Sequence, residues 1–109
     1  MRQHRRFSFL HLSRIKVTNR LSNELIGVVG DISLGGLRLI AKEPLAVGGC
    51  YEIRLHVPER GERVRQVDIA VICQWIRKVP LRRSFNLGLA LDRPSTEFTE
   101  LVSRLLTRR

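Results

Sequence analysis

Leu25-Ile26-Gly27-Val28-Val29-Gly30-Asp31-Ile32-Ser33-Leu34-Gly35-Gly36-Leu37-Arg38-Leu39-Ile40-Ala41 is the stretch that decides the fold. Two short apolar runs, 25–30 and 37–41, flank a segment holding an aspartate, a serine and a glycine pair. Short apolar runs bounded by turn residues read as strands, so the stretch predicts two strands with Asp31–Gly36 as the turn between them.

The same period of two extends outward. Ser13–Val17 alternates apolar and basic residues, and the polar Thr18–Glu24 reads as a hairpin turn. Downstream, Lys42–Gly49 holds Pro44 and Gly48-Gly49 and reads as a loop. Tyr51, Ile53, Leu55 and Val57 alternate with Glu52, Arg54 and His56, as a strand with one wet face does. After the charged turn Pro58–Arg63, Val67, Ile69, Val71, Cys73 and Trp75 share one side of a strand. Ala70, Ile72 and Ile76 share the other, so partial burial on both faces is expected. Val79–Arg83 interrupts, and Phe85, Leu87, Leu89 and Leu91 mark a sixth strand. The period then changes. Phe98, Leu101, Val102, Leu105 and Leu106 fall on one face of a helix, with Ser95 as its N-cap, acids early and arginines late. The expectation is an all-β domain of about six antiparallel strands, barrel or sandwich, with one C-terminal helix covering an open end or flank.

The chain's 109 residues, 43% apolar and 28% charged, suit one globular core and exclude a fibrous repeat or a long disordered tail. No apolar run approaches the roughly 20 residues of a membrane-spanning helix. The basic start, Met1–Arg6, runs into Phe7–Leu12 without a secretory apolar stretch, so a cytoplasmic location is expected. Cys50 and Cys73 are not spaced as a metal pair and read as small buried residues. His4, His11 and His56 are scattered, and no metalloprotease, nucleophile-elbow or phosphate-loop motif occurs. No enzyme, metal or cofactor is expected.

The charge points to a partner instead. The net charge is +10, and 17 of the 20 basic residues are arginine, which binds phosphate in bidentate fashion and stacks on flat rings. Arg2, Arg5, Arg6, Arg14, Lys16 and Arg20 all precede the first acid, Glu24. Biased composition accounts for part of the total but less for the clustering. In the turn, Asp31 can accept two parallel hydrogen bonds, a match for the Watson–Crick edge of guanine, and Ser33 can donate and accept. Gly36 admits a flat ring close to the backbone or takes a positive φ. The alternative is an Asp turn bonded to its own backbone. Trp75 reads as a core or partly covered aromatic before a stacking platform. Arg38, Arg82-Arg83 and Arg108-Arg109 read as solvated.

Arg2 and Arg6 form R-x-x-x-R, and Asp31, Ser33 and Gly36 form D-x-S-x-x-G. With the strand order, Trp75 and the closing helix, this combination resembles the PilZ domain family, whose members typically bind cyclic di-GMP. The resemblance spans essentially the whole chain. It implies a six-stranded antiparallel β-barrel (13–92), a basic arm (1–12) that folds over the ligand, and a closing helix (93–109). It also implies a ligand site of Arg2, Arg5, Arg6, Asp31, Ser33 and Gly36. The arginines would hold phosphates and stack on guanines, while Asp31 and Ser33 would meet a guanine edge. A second register, led by Arg5-Arg6, puts Phe9 at the last arginine position. The implied role is a receptor that signals to a downstream protein, as monomer or dimer. The alternative is an adaptor of the same fold that has lost the nucleotide. A general nucleic-acid binder fits less well, because the six aromatics fall mostly on core positions.

Overall fold

The alternating segments become strands β1 (Lys16–Asn19), β2 (Leu25–Ser33), β3 (Gly36–Ala41), β4 (Cys50–Pro58), β5 (Val64–Lys78) and β6 (Phe85–Leu91), followed by helix α1 (Thr96–Thr107). The computed structural model describes residues 12–107, with the side chain of Thr107 left aside. Arg2, Arg5 and Arg6, and with them nearly all of the expected arm, therefore lie outside the described residues, as do Arg108 and Arg109. All six strand pairings are antiparallel and close a barrel in the order β1-β2-β3-β6-β5-β4. Closure leaves no bare sheet edge and decides for barrel over sandwich.

Inward positions follow the alternation. Val17, Val29, Leu39, Ile53, Leu55, Val71 and Leu87 are fully buried. At the start of α1 the Ser95 hydroxyl oxygen accepts the Phe98 N–H at 3.1 Å, which confirms the cap. Phe98, Leu101 and Val102 are buried with Leu12 and Ile15 and plug the barrel. Leu106, expected on the same face, is exposed at 58%.

Three further expectations about the elements and the cysteines need correction. The β2–β3 turn is shorter than Asp31–Gly36: Asp31, Ile32 and Ser33 belong to β2 and Gly36 to β3, leaving Leu34-Gly35 to turn. The cause is the opposed pair Ile32 and Leu37, whose burial extends the ladder to the tip. The first strand begins at Lys16, because Ser13 and Arg14 form a turn closed by the Ile15 N–H on the Leu12 carbonyl at 2.9 Å. Cys50 is exposed, having the outward parity of Glu52, Arg54 and His56, whereas Cys73 is buried as expected.

Outward-facing charges of β4 and β5 pair with one another and with arginines just after β1 and β6. Arg54 grips Asp68 through two hydrogen bonds of 2.7 and 3.1 Å, Arg20 bonds Glu52 and lies 3.4 Å from Asp68, and Arg93 reaches Glu52 at 3.3 Å. The hydrogen bond from Arg54 holds the Asp68 carboxyl below its usual range.

Candidate functional site

Two irregularities in the ladder build the site. β2 carries one extra residue between Val29 and Asp31, and β5 one between Cys73 and Trp75. In a regular strand Asp31 would share the inward parity of Val29, and Trp75 that of Cys73. An inserted residue reverses that parity. Asp31 and Trp75 therefore point outward, while Ile32 is buried and Ile76 packs on the core. The sequence reading had put Trp75 on the side of Val67–Cys73; it stands 40% exposed on the opposite one.

The register then lines up four strands. One outward row reads Asp31, Arg38, Gly88, Trp75, and the next Ser33, Gly36, Ala90, Ile72. Between them the inward row Ile32, Leu37, Leu89, Cys73 is core. With strands about 4.8 Å apart, each row spans roughly 14 Å. Gly36 and Ala90 give the outer rows a low floor, the Trp75 ring lies over Gly88, and Asp31, Ser33 and Arg38 stand around them. The result is an open hollow of about 330 Å³, also bordered by Gln74.

The small residues are sterically required. A Cβ on Gly88 would come within 2.1 Å of the Trp75 indole nitrogen, so the ring lies where a side chain would otherwise stand. A Cβ on Gly36 would come within 2.1 Å of the Leu89 carbonyl oxygen, so Gly36 allows β3 to approach β6. Its φ is not positive; the positive-φ glycines are Gly48 and Gly61.

The polar groups are held but not exhausted. Asp31 Oδ1 accepts the Ile32 N–H at 2.9 Å, and the Ser33 hydroxyl donates to the Gly36 carbonyl at 3.4 Å. Both side chains thus brace their own hairpin, as the alternative reading of the turn had it, yet both residues are exposed. Arg38, expected to be solvated, is half-buried: it donates to Asn86 Oδ1 at 2.9 Å and to the Gly30 carbonyl at 3.2 Å. The Arg77 guanidinium lies 5.6 Å from the centroid of the Trp75 ring. Asp31, Ser33 and Gly36 are brought together as expected. Arg38, Gly88 and Trp75 join them, which the sequence reading missed because strand register, not spacing, makes them neighbours. The path of the chain ahead of β1 is set by the Val29 N–H, which donates to the Ile15 carbonyl at 3.0 Å. Residue 15 is thereby beside β2, two residues from Asp31.

The PilZ domain family matches residues 1–108, both sequence elements of the resemblance included. This chain is a PilZ domain. A solved structure with the same fold is the Bacillus subtilis inhibitor of motility, MotI/DgrA, at a TM-score of 0.61 and 18% identity, covering 87% of this chain. The match takes in 48% of that protein, so this PilZ domain spans about half its length. No curated protein matches the chain by sequence. PilZ domains are generally non-enzymatic receptors for cyclic di-GMP. No group of three metal-ligating side chains occurs among the described residues, and no described helix is long and apolar enough to cross a membrane.

Proposed function

We propose that this PilZ domain is a cyclic di-GMP receptor whose ligand rests on the outer face of β2, β3, β6 and β5. The observation that carries the reading is the pair of rows in which Asp31, Ser33 and Arg38 surround a floor of Gly36 and Ala90, with the Trp75 ring laid over Gly88 beside it. A guanine has a flat face and an edge with two adjacent N–H donors. The floor accepts the face, Trp75 flanks it, and the carboxylate of Asp31 takes the edge while Ser33 supplies a further polar contact. Stacking of this kind contributes about 1–3 kcal/mol per base.

The ligand's two phosphates call for cations. Arg2, Arg5 and Arg6 supply them from the arm, residues 1–12, which precedes the stretch where the Ile15 carbonyl accepts the Val29 N–H. Each charge-assisted bond contributes roughly 1.5–3 kcal/mol. An arm so rich in arginine repels itself until a polyanion arrives, so binding orders it against the barrel of 13–92 and the helix of 93–109. The new pose presents a surface to a downstream protein in the cytoplasm. No chemistry is performed. MotI/DgrA, named as an inhibitor of motility, makes motility one process in which to look for that partner.

The second reading is an adaptor of the same fold without nucleotide. It is favoured by the hydrogen bonds that tie Asp31 and Ser33 into their own hairpin. Calorimetric titration with cyclic di-GMP separates the two. The receptor reading expects saturable binding that Arg6→Ala and Asp31→Ala each weaken by at least about tenfold, equal to 1.4 kcal/mol, with unchanged circular dichroism. Absent binding by the unaltered chain leaves the adaptor.

A further inference from the structure

A second hollow among the described residues is larger than the one on the nucleotide face and shares no lining residue with it. It occupies about 660 Å³ between the β4–β5 hairpin, the turn before β1 and helix α1. Five arginines line it: Arg14 ahead of β1, Arg60, Arg63 and Arg65 on the hairpin, and Arg104 on the helix. Glu59 is the one acid of the lining; it pairs with Arg65 at 3.0 Å and lies 3.9 Å from Arg104. No carboxylate of the described residues pairs with Arg14, Arg60 or Arg63. The bottom is apolar, made by Ile15, Val57, Leu101 and Leu105. The hairpin that presents the arginines is a closed turn, with the Glu59 N–H on the Arg63 carbonyl at 2.8 Å and positive φ at Gly61 and Glu62.

We infer that this cleft is a docking groove for an acidic, amphipathic segment of a partner protein. An apolar centre ringed by arginines is the composition of a protein interface, where arginine is enriched and the core is drier than the rim. A compact polyphosphate would gain nothing from the leucine floor. An acidic helix or strand with apolar residues on one side matches both the charge and the grease. Arg14 and Ile15, which line the cleft, continue directly into the arm. The inference does not depend on nucleotide binding.

The test uses the whole chain and no nucleotide. A fluorescein-labelled peptide of repeated Glu-Glu-Leu-Leu units is titrated by anisotropy, beside a matched peptide with serine for leucine and beside tripolyphosphate as competitor. Three chains are compared: unaltered, Arg60→Glu/Arg63→Glu, and the charge-matched control Arg82→Glu/Arg83→Glu on the β5–β6 loop. The groove predicts saturable binding, weakened on the order of tenfold by the first double variant and less than about twofold by the control. The serine peptide should bind several-fold more weakly. Equal losses in both double variants would reduce the effect to net charge and overturn the groove. So would tripolyphosphate binding more tightly than the peptide, which would make it a site for compact anions. Because each variant's circular dichroism is read first, loss of fold is seen separately.

Discussion

Gly88 fixes the position of the one tryptophan. The indole lies where a Cβ at residue 88 would be, so a side chain there and the observed ring position exclude each other. Gly88→Ala should therefore lift Trp75 into solvent, red-shift its emission and destabilise the fold by about 1–3 kcal/mol, as overpacking does; fluorescence with urea unfolding measures both. Asp68 is a second single-residue case. Its folded pKa lies below the ordinary 3.8 because Arg54 bonds the carboxylate. A lowered carboxyl pKa stabilises the fold above the unfolded value and loses that contribution as pH falls through the folded one. The pair is largely exposed, so solvent screening keeps the effect small. The melting temperature of Asp68→Asn should sit below that of the unaltered chain near neutral pH, and the gap should close below about pH 3.8. At this scale the sequence was only partly legible. Asp31, Ser33 and Gly36 stood out because their types and spacing carry chemistry. Trp75 was assigned to the wrong side because nothing about Gln74 marks an inserted residue.

At the scale of elements, period decides most of the outcome. Alternation located four strands, short apolar runs bounded by turn residues located β2 and β3, and the change of period at Phe98 located the helix, since burying a face of an element requires such patterns. The ends were less legible. The pairing of Ile32 with Leu37 drew three residues of the expected turn into β2, a cross-strand contact that a local reading does not include. The two bulges belong here too. Each rotates one strand by a single residue, and together they turn an aspartate and a tryptophan onto one face. The helix offers the cleanest check. Ser95→Ala removes the acceptor for the Phe98 N–H and should cost about 1 kcal/mol without altering the barrel. Urea unfolding with an unchanged slope measures it.

For the whole molecule, the strand order makes the site possible, because the hollow needs four neighbouring strands from distant parts of the chain. The strand order β3-β6-β5 is non-local and was not legible from periods. The barrel was expected from the family resemblance, and the structure agrees. Most of the arginines fall into separate groups, at the cleft by the β4–β5 hairpin, in the outer charge lattice and in the amino-terminal arm, so the net charge of +10 is not one uniform field. The account rests on the outer face of β2, β3, β6 and β5 as the nucleotide platform, and the sole tryptophan stands on it. Titration with cyclic di-GMP while following Trp75 emission is the most direct measurement. The platform predicts a saturable change in Trp75 emission that Asp31→Ala suppresses and Arg82→Ala leaves intact. Binding seen by calorimetry with Trp75 emission unmoved throughout would place the ligand elsewhere and contradict the account.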